Sequence, residues 1–262
     1  MKLPVYQIDA FTDRLFAGNP ACVVPLETWL PDALLLQLAR ENAVAETAFL
    51  VMERDGYRLR WFTPEIEMDL CGHATLAAAH ALKTILHDPR EVLTFYTASG
   101  ELQVTTGPDG YTLDFPSRMP VPANLPQPIA AALSLPPLRT FKARDYVLVY
   151  PNEQHVRDLA VDRSILDRIN LDPGGVAVTA PGDSCDFVSR FFTPQASILE
   201  DPVTGSAHCS LVPFWARELG KDFLLARQVS ARGGTLHCQN LGKRVLLRGQ
   251  ARTYAVGHFW TD

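Results

Sequence analysis

Tyr57-Arg58-Leu59-Arg60-Trp61-Phe62-Thr63-Pro64 is answered, roughly 130 residues later, by Phe187-Val188-Ser189-Arg190-Phe191-Phe192-Thr193-Pro194. Arg, Phe, Thr and Pro fall in the same places, and two further positions exchange one aromatic for another. Each copy then runs into a glycine and a small-residue helix: Cys71-Gly72-His73-Ala74-Thr75 in the first, Thr204-Gly205-Ser206-Ala207-His208 in the second. Farther on, Ala98-Ser99-Gly100-Glu101-Leu102 is echoed by Ala231-Arg232-Gly233-Gly234-Thr235-Leu236. A repeat this long predicts two similar domains rather than a solenoid of short units. Two such domains are expected to place two helix starts around one cleft.

The bulk properties narrow the function. The chain has 262 residues, 47% hydrophobic and 20% charged, enough for a sizeable core. A net charge of −5 and a pI near 5.8 argue against a nucleic-acid partner. No apolar run is long enough to span a bilayer, and Met1–Asp9 lacks the apolar core and cleavage site of a signal peptide. The five cysteines are scattered, with no spacing that suggests a disulfide framework. These features predict a reduced, cytoplasmic protein without a membrane partner.

Periodicity predicts strands over Val5–Phe11, Ala21–Pro25, Thr47–Met52 and Arg58–Phe62, and helices over Pro31–Asn42 and His73–Leu86. The alanines at 74, 77, 78, 79 and 81 would let the second helix be surrounded closely. Seven prolines from Pro116 to Pro137 predict a connector, with a short helix around Ala130. The second half repeats the order, with strands at Tyr146–Tyr150, Gly175–Thr179 and Asp186–Phe192 and a helix over Arg163–Ile169. The domains are therefore expected at 1–117 and 118–251, with a last strand near 252–262 returning to the first.

Four places carry candidate chemistry. Glu46 interrupts the apolar run Ala43-Val44-Ala45-Glu46-Thr47-Ala48-Phe49; such a carboxyl group suits a proton shuttle, or it faces outward from a strand edge. At Cys71-Gly72-His73 a helix start would attract an anion, with Gly72 allowing close approach and His73 and Cys71 able to move protons. The alternative is a tight turn with a packed cysteine. Asp201-Pro202-Val203-Thr204-Gly205-Ser206 is the second helix start, where Asp201 and Ser206 either cap the helix or meet a substrate amine and anion. Arg232 and Gly233 offer a cation beside a turn, or a plain hairpin. No metal site is expected: Cys71 and His73 are too close for structural zinc, and His208 and Cys209 point apart on a helix. Phosphate-loop, dinucleotide and nucleophile-elbow motifs do not occur.

Together, Asp9-Ala10-Phe11-Thr12, Gly18-Asn19-Pro20-Ala21, Ala45-Glu46-Thr47-Ala48-Phe49, Arg60-Trp61-Phe62-Thr63-Pro64, Leu70-Cys71-Gly72-His73-Ala74-Thr75, Ser189-Arg190-Phe191-Phe192 and Glu200-Asp201-Pro202-Val203-Thr204-Gly205-Ser206-Ala207 resemble the PhzF family of phenazine-biosynthesis-like proteins. The resemblance implies a diaminopimelate epimerase-like α+β fold: two pseudo-symmetric domains, each a curved mixed sheet around a central helix. It also implies an isomerase without metal or organic cofactor, commonly a homodimer, acting on a small-molecule carboxylate. By that resemblance Glu46 is the proton shuttle, His73 and Asp201 are catalytic, and Ser206 lies in the small loop. Asn19, Cys71, Gly72, Thr204, Gly205, Ser206, Arg232 and Gly233 are the expected substrate contacts. Epimerases of this fold use one cysteine from each half; Cys71 matches the first, and Thr204 stands at the second. That departure weakens a two-base racemase relative to a single-base isomerase.

Overall fold

The computed structural model describes residues 1–171 and 174–261, so Asp262 of the expected last strand lies outside the described residues. Two compact units divide the chain: Met1–Asp114 with Arg248–Asp262, and Phe115–Leu247. The elements in order are β1 (Lys2–Ala10), β2 (Asn19–Leu26), α1 (Asp32–Asn42), β3 (Glu46–Glu53), β4 (Gly56–Phe62), β5 (Glu67–Met68), α2 (Gly72–Thr84), β6 (Val92–Thr97), β7 (Gly100–Gly107) and β8 (Gly110–Pro116). Then come β9 (Val121–Pro122), α3 (Gln127–Ala132), β10 (Arg139–Lys142), β11 (Tyr146–Val149), α4 (Glu153–Asp158), α5 (Arg163–Leu166), β12 (Val176–Pro181) and β13 (Phe187–Phe192). The chain closes with β14 (Glu200–Asp201), α6 (Gly205–Leu219), β15 (Phe223–Gln228), β16 (Gly234–Asn240), β17 (Arg244–Gly249) and β18 (Ala251–Trp260).

Strand pairing repeats the sequence repeat. In the first unit β2 runs parallel to β3, β3 antiparallel to β4, β4 parallel to β6, and β6 antiparallel to β7. In the second, β11 is parallel to β12, β12 antiparallel to β13, β13 parallel to β15, and β15 antiparallel to β16. Each parallel step needs a crossover, and the two small-residue helices supply the crossovers from β4 to β6 and from β13 to β15. Every residue of α2 from Gly72 to Leu82 is buried. Alanine at five of those positions brings the helix close to β1, β2 and β3, so the sheet can curve around it.

The repeated Arg, Phe and Thr have a common physical task. Arg60 forms a two-pronged ion pair with Glu67 (2.7 and 2.6 Å), and its guanidinium lies 5.1 Å from the Phe62 ring. Arg190 does the same with Glu200 (2.7 and 2.9 Å) and Phe192 (5.0 Å). Thr63 and Thr193 turn the chain between the two arms, each donating its hydroxyl to a backbone carbonyl, at Ile66 and Ile198. Bidentate arginine–carboxylate pairs fix orientation as well as distance. The pairs lock the short strands β5 and β14, and these strands lead directly into the two helix starts.

Several expectations need correction. Pro31 sits at the N-cap of α1, one residue before its first turn. The proline-rich stretch is more than a connector: Ile129 and Ala132 of α3 are buried in the core of the second unit, beside Leu148, Val178 and Phe192. Helix α5 stops at Leu166 rather than Ile169, and α4 and β10 fall where no regular period was read.

His80 on α2 marks where the first sheet approaches itself. Its Nδ1 lies 3.0 Å from the Tyr111 hydroxyl on β8, and its Nε2 lies 2.9 Å from the Thr253 hydroxyl on β18. Burial, helped by Arg252, pushes His80 down to about 4. Its folded value lies below the ordinary 6.5, so the unfolded chain takes up a proton that the folded chain refuses. This stabilising contribution is complete above about pH 6.5 and is lost as pH falls toward 4. Urea midpoints are expected to fall over that window, with a shallower decline for His80→Gln; an identical decline would remove His80 as a cause.

Candidate active site

In the first unit, strand alternation and the helix start converge on one imidazole. Asn19 opens β2, Glu46 opens β3, and their Cα ladders place Glu46 opposite Ala21. His73 is the second residue of α2, with Cys71 at its N-cap. The Nε2 of His73 lies 3.0 Å from Oε2 of Glu46, and the two side chains are 3% and 14% exposed. They form a close ion-pair contact without hydrogen-bond alignment, so both atoms remain unsatisfied as hydrogen-bonding groups. On the other edge of the ring, Nδ1 lies 3.0 Å from the Asn19 side-chain nitrogen and 3.6 Å from the Cys71 sulfur.

These contacts set the proton's position. An Asn19 amide donating to Nδ1 leaves the hydrogen of a neutral ring on Nε2. If the amide is turned, its oxygen accepts from Nδ1–H, and the upward shift of His73 selects the doubly protonated ring, with hydrogen on Nε2 as well. Either of these two states leaves a hydrogen on Nε2, 3.0 Å from Oε2 of Glu46 though not aligned with it. Burial opposes a charge on His73, but the Cys71 and Glu46 anions outweigh it and hold the ring well above the ordinary histidine range. Burial, and next the Glu46 charge, push Cys71 up to about 11. Cys71 and Glu46 thus act on His73 together, and burial favours the thiol form of the cysteine.

Glu46, Cys71 and His73 bring ligand atoms within 4.8 Å of one another. The thiol lies on the Nδ1 side of the ring and the carboxylate on the Nε2 side. The Cys71 side chain makes no capping bond to α2. The first-turn amides, which have no intrahelical backbone partner, lie at the α2 start beside the Glu46–His73 pair, and helix starts in general attract anions.

The second unit's helix start is built differently. Thr204, the N-cap of α6, does not cap the helix with its side chain; its hydroxyl donates to the Asp201 carboxylate. The N-cap position is thus Thr204, between Asp201 and Ser206 in the chain. The Gln228 side chain accepts from the Thr204 amide (2.9 Å) and donates to the Asp201 carbonyl (2.7 Å) and the Thr204 hydroxyl (3.2 Å). His208 donates from Nδ1 to the Thr204 carbonyl (2.8 Å), and burial pushes it down to about 4, so it is neutral. Ser230 ties the neighbouring turn in, donating to the Pro202 carbonyl (2.8 Å) and accepting from the Gly233 amide (3.1 Å). Gly233 needs its glycine, with φ +66°. Arg232 is half-buried in that turn, and Ser206 is the half-buried residue of the helix's first turn.

The structure thus groups Asn19, Glu46, Cys71, Gly72 and His73 in one unit, and Asp201, Thr204, Gly205, Ser206, Arg232 and Gly233 in the other. Sequence reasoning missed Gln228. Its signal was a polar residue on the buried face of β15, after Leu224 and Ala226, at the repeat position filled by the buried Thr97 in the first copy.

Known proteins resemble this chain along nearly its whole length. An uncharacterized isomerase of Pseudomonas aeruginosa is 48% identical over 257 residues, spanning 98% of each chain. A crystal structure of a PhzF-family phenazine biosynthesis protein from Enterococcus faecalis superposes with a TM-score of 0.93 at 45% identity, covering 100% of both chains. A probable proline racemase from Agrobacterium radiobacter, with 12% identity and a TM-score of 0.66, covers 99% of this chain and 93% of its own and shares the fold alone. The fold is diaminopimelate epimerase-like, and the protein is an isomerase. The family model described as phenazine biosynthesis-like protein matches residues 8–257, and the chain belongs to that PhzC-PhzF family.

The thiol environment gives a direct check. Cys22, Cys71, Cys209 and Cys238 are buried, and burial pushes each thiol above its ordinary range; only Cys185 is half-exposed. An aromatic disulfide reagent is expected to modify at most one thiol in the native protein, and all five after unfolding. Rapid native labelling of Cys71, located by peptide mass, would contradict the shielded-thiol account.

Proposed function

We propose that the protein is a cofactor-independent isomerase that moves a proton on a small unsaturated amino- or hydroxy-carboxylate, with Glu46 as the acid and base. The observation that carries the reading is the Glu46–His73 contact at an uncapped helix start. Glu46 takes a C–H proton adjacent to the unsaturated system, and the released electron pair shifts into that system toward the carboxylate. The His73 N–H and the first-turn amides of α2 stabilise the developing charge, the kind of preorganised donor that dominates many such barriers. Glu46 then returns the proton to another carbon of the same substrate, so no electrons are gained or lost overall. The contact lacks hydrogen-bond alignment in the free protein, and such contacts often tighten only around substrate.

Asp201 is assigned to the substrate amine, and the second helix start, with Gly205, Ser206, Arg232 and Gly233, to its carboxylate. A homodimer in the cytoplasm is the form that the family resemblance implies. The asymmetry of the two copies supports one base over two. Where the first copy has Cys71, the second has Thr204, whose hydroxyl is already committed to Asp201.

Glu46→Gln is expected to fold normally but to lose substrate-dependent deuterium incorporation from solvent by at least about 100-fold, read by mass spectrometry. Cys71→Ala should keep most of that exchange. Full exchange in Glu46→Gln would refute the shuttle, whereas silence in Cys71→Ala would favour a cysteine-based epimerase.

A further inference from the structure

We propose that Gln228 is a positioning residue that diverts Thr204 from capping α6, so that the same side chain holds Asp201 and the helix start stays open. The proposal rests on the assignment of Asp201 to substrate binding and extends it to a residue that touches neither substrate nor reacting atoms. Threonine at an N-cap ordinarily accepts a hydrogen bond from the second or third amide of its helix. Here those amides belong to Ser206 and Ala207, and Thr204 makes no such bond. Its hydroxyl donates to Asp201 instead and accepts from the Gln228 side-chain nitrogen. The other end of the Gln228 amide accepts from the Thr204 backbone N–H, and the same nitrogen reaches the Asp201 carbonyl.

Every polar atom of Thr204 therefore has a partner: Gln228 on its amide, His208 on its carbonyl, and Asp201 and Gln228 on its hydroxyl. Gln228 is 1% exposed, so its three bonds form where a lost partner is not replaced by water. The first copy carries no such device. Thr97 stands at the equivalent position and donates its hydroxyl within its own turn, to the Gly100 carbonyl, while Thr75 donates to the carbonyl of Cys71 just as His208 donates to that of Thr204. The carbonyl-side support is common to both helix starts, whereas the amide-side clamp belongs only to the copy that carries Asp201.

The test uses no substrate, so its failure is separate from any failure of the Glu46 reading. Backbone hydrogen exchange at Ser206 and Ala207 is followed by NMR in the full-length protein. Gln228→Met, which keeps the volume but removes both polar ends, should free Thr204 to cap the helix. Exchange at one of the two amides should then slow about fivefold, the factor expected of one capping bond. Adding Thr204→Val to Gln228→Met should restore the original rate, a rescue that loss of packing alone would not produce. Thr204→Val by itself should leave both rates unchanged, and it decides the matter if Gln228→Met does not fold. Unchanged rates in folded Gln228→Met, or faster exchange in Thr204→Val, would overturn the proposal.

Discussion

The proposed chemistry depends on one imidazole held from both edges. His73 has Glu46 at Nε2, and Asn19 and Cys71 at Nδ1, and it is almost wholly removed from water. Burial alone would strip a proton from such a ring. Its neighbours Cys71 and Glu46 together reverse that tendency, so the ring keeps a proton to donate. Because Cys71 stays protonated, the group left to exchange protons beside the ring is a single carboxylate. The arrangement is costly for stability, since it buries unsatisfied polar atoms, and costs of that kind gather at functional sites.

The scaffold serves that placement through paired strands and an alanine-lined helix. Each Arg–Glu pair fixes a short strand, and each short strand delivers the chain to a helix start within a few residues. Symmetry accounts for the scaffold and broken symmetry for the site. Cys71 and Thr204, His73 and Ser206, Thr97 and Gln228 occupy equivalent positions with different chemistry.

Much of this was legible in the sequence because it was local or repeated. The Arg-x-Phe-Thr-Pro pattern announced two like units, and alanine spacing announced a buried α2. Glu46 was ambiguous because alternation in a strand does not say which face meets another element; only the position of His73 turns it inward. Asn19 reads as a turn residue, and nothing nearby in sequence reveals its contact with His73. Gln228 was hidden for a similar reason, since its partners lie far away along the chain. Helices α4 and α5 were missed or misjudged because a helix of four to six residues has too few turns to show a period.

The central claim is that His73 presents a hydrogen-bearing Nε2 to Glu46. Side-chain nitrogen NMR of protein labelled at histidine reads this directly, because protonated and bare ring nitrogens resonate far apart. Near neutral pH, the account predicts hydrogen on Nε2 of His73, in either the neutral or the charged ring, with the signal perturbed in Glu46→Gln. A neutral ring carrying its only hydrogen on Nδ1, with Nε2 bare, would contradict it.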